Sequence, residues 1–179
     1  MNAWLNDRSN DVRASISAIA KLKDELSYLQ LGWRPPDGGW SIAQVFEHLI
    51  LADESYLAEM EKLVETGKRS ATPWQPTLAG GMLTRYVSPG NARKTRAPRI
   101  YRPPEPRAHV VDEYLKVRER LLRLLERADG IDLRRNRMSS PVSKIIRINL
   151  GDAIMILVVH TQRHLQQVAR IRDRTCFPS

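Results

Sequence analysis

The stretch Trp40-Ser41-Ile42-Ala43-Gln44-Val45 constrains the fold more than any other part of the chain. A serine at a helix N-cap with glutamine three residues later satisfies two of the orphan N–H groups of the first turn. Apolar residues just before the cap and at the fourth helical position staple the incoming chain. Beyond it Val45, Leu49, Ala52, Tyr56, Met60 and Leu63 recur at about 3.5-residue spacing up to Gly67. A helix with such a stripe is stable only against other apolar faces.

Three further segments offer them. Val12, Ile16, Ile19, Leu22, Leu26 and Leu29 predict a helix over about 10–31, ended by Gly32 and the Pro35-Pro36-Asp37-Gly38-Gly39 break. Val111, Tyr114 or Leu115, Leu121, Leu122 and Leu125 predict one over about 108–128, before Gly130. Ile154, Leu157, Thr161, Leu165, Val168 and Ile171 predict a last one to about Arg172. Asn149 serves as its cap, and Asp152 sits in the first turn, where negative charge suits the helix dipole. No pair of strands is evident. The expectation is an all-α fold, a four-helix bundle forming one domain over 1–179.

Helices two and three are joined by a long connection, 66–107, without clear periodicity. It holds Pro73, Pro76, Pro89, Pro98, Pro103, Pro104 and Pro106, seven of the chain's eleven prolines. Arg85, Arg93, Lys94, Arg96, Arg99, Arg102 and Arg107 make it basic, opposed only by Glu105. Connections this long within a compact domain are uncommon and tend to be functional or disordered. Three roles are open for it: covering a pocket, bracing a dimer, or binding an acidic partner. Nucleic acid is the least favoured partner, because only Tyr86 and Tyr101 could stack on bases.

The formal charge is +9, from 29 Lys and Arg against 20 Asp and Glu. That excess points toward anionic partners but says nothing of the fold. Cys176 is the single cysteine, which excludes an intrachain disulfide and a cysteine-based zinc site. No apolar run reaches the roughly 20 residues of a membrane span, and no secretory leader is evident. A cytoplasmic protein is expected.

Of the four histidines, His160 and His164 lie four apart on the last helix, on the face of Leu157, Thr161 and Val168. Residues so spaced project from one face with Cβ atoms about 5–6 Å apart, close enough to share one ion. His48 falls among Val45, Leu49 and Ala52, also inward. Three imidazoles with an open position suit Zn, Ni, Fe or Co. The competing interpretation is plain core histidines, each satisfied by a hydrogen bond. His109 reads as a surface residue, and Cys176 lies too far along the chain from His164 to join a site.

Two motifs carry a resemblance. Trp40 to Leu49 resembles the second-helix signature of the DinB-like superfamily, also known as YfiT-like metal-dependent hydrolases. Leu150-Gly151-Asp152, followed by His160-Thr161-Gln162-Arg163-His164-Leu165-Gln166-Gln167, resembles its fourth-helix signature. Ile131-Asp132-Leu133 also falls where the family order places it, while the basic insert looks longer than usual. The resemblance implies a four-helix bundle, often homodimeric, with a divalent metal on His48, His160 and His164. It implies a thiol-dependent S-transferase or a hydrolase acting on a small-molecule substrate, with a low-molecular-weight thiol as co-substrate. The alternative is a non-enzymatic binding protein whose metal is structural or absent and whose insert does the work.

A bound divalent ion would lower the pKa of water or of a thiol. Thr161 follows His160 where a zinc protease helix would need glutamate, so that chemistry is excluded. Glu47, Asp53 and Glu54 flank the His48 stripe without lying on it, and no general base is assigned. Lacking one, thiol activation is favoured over hydrolysis. Gln167 matches the family motif as a partner of the ligands or a surface amide. Arg163 and Arg170 are expected at a dimer face or in solvent.

Overall fold

A computed structural model of the chain describes residues 2–91 and 96–179, so Arg93 and Lys94 of the basic cluster lie outside the described residues. The fold is mainly helical. Four long helices, α1 (Ala3–Glu25), α3 (Ile42–Thr66), α5 (Val110–Arg127) and α6 (Leu150–Arg172), share one core. Short helices α2 (Tyr28–Gly32) and α4 (Leu78–Val87), a 3-10 turn (Arg99–Tyr101) and strands β1 (Arg137–Ser140) and β2 (Ser143–Asn149) complete it. Both α1 and α3 pack on α5 and α6. The core joins Leu5, Val12 and Ile19 to Leu49, Leu57 and Met60, and these to Leu121, Leu125, Ile154 and Leu157.

Capping fixes both helices that carry histidines. Ser41 Oγ accepts from Gln44 N and Gln44 Oε1 accepts from Ser41 N, each at 3.1 Å. Asn149 does more than cap α6: its Oδ1 accepts from Asp152 N at 2.8 Å and Asp152 Oδ2 accepts from Asn149 N at 3.0 Å, a reciprocal box.

Three expectations are corrected. The single first helix over 10–31 is two, and it starts earlier, where Asn2 Oδ1 accepts from Leu5 N. Ser27 and Gln30 form a capping box of their own, so the chain restarts after an extended Leu26 instead of continuing.

The second correction is a β-hairpin. Arg137, Met138 and Ser139 pair antiparallel with Asn149, Ile148 and Arg147. Met138, Ser140, Ile148 and Asn149 are buried while Ile145 is exposed, so the two strands bury only two apolar side chains between them and the sequence shows no apolar alternation.

The third is that the insert has structure. Helix α4 turns Leu83 and Val87 toward the core and leaves Leu78, Met82 and Tyr86 exposed. It is seated on the start of α6: Asp152 accepts from Thr77 N and, at 2.7 Å, from Thr77 Oγ1, which caps Gly80 N at 2.9 Å. A Cβ on Gly80 would stand 2.1 Å from Asp152 Cγ, so only glycine allows this approach. Trp74 lies equally close over Gly151 and donates its indole N–H to Asn149 Oδ1 at 3.0 Å. The Leu150-Gly151-Asp152 motif is therefore a socket for the insert. No helix among the described residues is long and apolar enough to cross a membrane.

Candidate metal centre

His48 stands in the second turn of α3, and His160 and His164 on successive turns of α6, which packs against α3. The three rings meet: centroids are 4.5 Å apart for His160 and His164, 4.8 Å for His48 and His164, and 5.2 Å for His48 and His160. Nε2 of His160 is 3.0 Å from that of His164 and 3.3 Å from that of His48. Two nitrogens bound to one tetrahedral ion at about 2.0–2.1 Å would be about 3.3–3.4 Å apart. The donor set and its spacing thus fit a divalent cation.

The outer nitrogens explain why these edges face one another. A carbonyl can only accept, so His48 Nδ1–H donates to Tyr101 O at 2.7 Å. His164 Nδ1–H donates to Gln167 Oε1 at 2.8 Å. Each bond places the ring proton on Nδ1 and leaves the Nε2 lone pair pointing into the cluster. Gln167 is thus the partner of His164, about one turn along α6.

Burial drives all three imidazoles toward the neutral form. It lowers His48; it takes His160 well below the ordinary histidine range, helped by the other two rings and Arg163. His164 falls to about 3, through burial and then the nearby His48. Neutral imidazole is the form that ligates.

The insert covers the His48 side. The 3-10 turn brings Tyr101 over the ring, its hydroxyl bonded to Ser55 Oγ at 3.0 Å, and Trp40 lies 5.0 Å from the ring. Arg163, expected at a dimer face or in solvent, instead reaches Ser88 O and Asn91 O at 3.1 and 2.8 Å and ties the insert to α6. Its position one residue before His164 turns it away from the cluster, toward the insert.

The acidic residues near His48 are engaged elsewhere. Glu47 is buried and held by Arg107 through Nε at 2.8 Å, Nη2 at 3.0 Å and the backbone N–H at 2.9 Å. Burial pushes its carboxyl up, but Arg107 outweighs this and holds it below the ordinary range. Asp53 is fully buried against Arg118, 3.2 Å away, and burial lifts it to about 6 despite that charge. Tyr114 hydroxyl stands between Asp53 Oδ2 at 3.3 Å and Thr161 Oγ1 at 2.7 Å. The sequence reading missed this network; an arginine four residues after Tyr114, on the same helix face, was the available signal. Glu54 bonds Arg120 at the surface, and His109 is exposed.

A mainly helical fold with three convergent histidines and no cysteine ligand defines a class of histidine-cluster proteins. The sequence profile of the DinB superfamily matches residues 12–168, and the chain belongs to that superfamily. No curated protein and no solved structure matches it significantly.

Proposed function

We propose that His48, His160 and His164 hold one divalent metal ion, and that the protein is a metal-dependent enzyme transferring a small thiol to an electrophile, within the four-helix bundle its family resemblance implies. The convergence of three Nε2 atoms, two of them oriented by bonds at Nδ1, supports the reading most directly. A bound ion would supply Lewis acidity that makes a thiol or a water acidic near neutral pH.

The chain's own residues favour the thiol over water. Hydrolysis needs a base to take a proton from water, and the nearby carboxylates are committed, Glu47 to Arg107 and Asp53 to Arg118. A thiol, ordinarily near pKa 8.5, needs far less help. Tyr101 and Trp40 limit water at the His48 edge, and Arg163 beside His164 favours an anionic reactant.

Metal analysis by mass spectrometry on untagged protein, beside the His160→Ala/His164→Ala variant, tests the site. Near-stoichiometric metal lost in the variant is expected. Wild-type protein that stays empty after reconstitution with zinc, nickel, iron and cobalt would refute it. Thiols screened against electrophiles then test the reaction. The homodimer and the cytoplasmic location belong to the same reading, and light scattering at micromolar protein tests the first.

A further inference from the structure

At the far end of α3, about 27 Å along the helix from His48, Lys68, Thr72, Asp132, Arg134, Arg135 and Arg137 line a concavity of about 450 Å³. Small-molecule sites commonly occupy about 300–1,000 Å³. Its wall holds four cationic side chains against one carboxylate.

The uneven pairing of charge is what sets it apart. Along the α3–α5 seam each arginine has acids: Arg107 has Glu47 and Glu113, Arg120 has Glu54 and Glu61, Arg127 has Glu65. Among the described residues, Lys68, Arg134 and Arg137 have no carboxylate within ion-pair distance, and Arg135 reaches Asp132 only at 3.8 Å. Asp132 is itself occupied, its Oδ1 accepting from the backbone N–H groups of Arg134 and Arg135 at 3.0 and 2.8 Å. From that turn both arginines line the concavity.

The floor is rigid. Asn136 Nδ2 donates to Lys68 O at 2.9 Å and to Asp132 O at 2.8 Å, while its Oδ1 accepts from Lys68 N at 2.9 Å. Asp132 N donates to Lys68 O at 2.8 Å, and Ser70 N to Gly130 O at 3.1 Å. A Cβ on Gly67 would stand 2.8 Å from Asn136 Oδ1, so the two segments meet this closely only at glycine. A merely solvated basic face needs no such fastening; here like charges are held together against their repulsion.

We propose that this concavity is a second ligand site, separate from the histidine cluster, which binds the phosphate group of a small molecule. Guanidinium forks match phosphate oxygens in bidentate fashion. The wall carries no aromatic side chain on which a base would stack, and its concave form suits a compact anion rather than a nucleic-acid strand.

Calorimetric titration with inorganic pyrophosphate at low ionic strength tests the site, on the wild type and on an Arg134→Ser/Arg137→Ser variant. An Arg13→Ser/Lys21→Ser variant removes two exposed charges elsewhere. Binding at least tenfold weaker in the first and within twofold of wild type in the second is expected. Lys68→Gln, a single exposed change, should weaken it at least threefold and serves if the double variant does not fold. The His160→Ala/His164→Ala protein should bind pyrophosphate as wild type does, which separates this site from any metal. No heat at millimolar pyrophosphate, equal weakening in both double variants, or loss with the two histidines would overturn the proposal. Random duplex DNA or RNA that binds tightly and is not displaced by pyrophosphate would overturn it in favour of a nucleic-acid surface.

Discussion

His48 Nδ1 lies 2.7 Å from the carbonyl oxygen of Tyr101, so a helix residue in the core takes its tautomer from the later part of the basic insert. The insert thereby becomes part of the candidate centre, and its attachments, Arg163 to Ser88 and Asn91 and Thr77 to Asp152, bear on it.

Gln167 offers the cleanest test of such orientation, because its side chain can be changed without touching the backbone. Gln167→Leu removes the acceptor for His164 Nδ1–H and keeps the volume. Partners of this kind are worth about 10–100-fold in metal affinity. Competition with a chromophoric chelator should show a loss in that range, with Gln167→Glu, which retains the acceptor, much closer to wild type. Unchanged affinity in Gln167→Leu would mean that the bond does not orient the ring.

The metal-free protein should lose stability as pH falls. His164 titrates near 3 when folded and near the ordinary 6.5 when unfolded, so between these values the unfolded chain holds more protons. Stability therefore drops on acidification through 6.5, and His48 and His160, also lowered, add to the slope. Asp53 works the other way: raised to about 6, it makes the folded state the better proton binder from about 3.8 to 6. With three histidines against one aspartate, urea midpoints should fall between pH 7 and 5. His164→Gln should flatten the slope by up to about 1.4 kcal/mol per pH unit, and added zinc should oppose the decline near neutrality.

The insert's seat predicts a local effect. Thr77→Ala removes the hydroxyl that both bonds Asp152 and caps α4 at Gly80. A lost cap costs about 0.5–2 kcal/mol. Because α4 lies outside the four long helices, the loss should appear as faster hydrogen exchange and proteolysis within 78–91, with a smaller change in global melting. Cleavage unchanged there, or a uniform fall in protection, would contradict the seating described.

The legible parts of this protein were those where one local rule and one long-range pattern agreed. Ser41 and Gln44 announced α3, and the stripe behind them set His48 inward. His160 and His164 shared a face by spacing alone, and the family motifs added that His48 joins them. What escaped had no repeated signal. Tyr101 acts through a carbonyl, which side-chain identity does not encode. Helix α4 is ten residues flanked by prolines, with apolar residues on both faces. The hairpin buries two apolar side chains, Met138 and Ile148, too few to show an apolar period of two. Arg118 shows in the sequence only as an arginine on the apolar face of Tyr114, and that placement does not say which carboxylate it meets once buried.

That arginine supports the sharpest stability test. Arg118 and Asp53 are both inaccessible to solvent and 3.2 Å apart, yet Asp53 Oδ1 and Arg118 Nε make no hydrogen bond among the described residues. The pair is thus incompletely satisfied, and burial already drives Asp53 toward protonation. Removing one partner strands the other: Arg118→Met should cost about 3–5 kcal/mol at pH 7. That variant should recover part of the loss toward pH 5, where Asp53 can take up a proton. Asp53→Leu/Arg118→Met, which removes both charges, should cost much less than the sum of the two single changes. A double-mutant cycle in urea measures this directly. Additive losses would show that the two residues are stabilised by separate neighbours, Ser15 for Arg118 and Tyr114 for Asp53, rather than by one another.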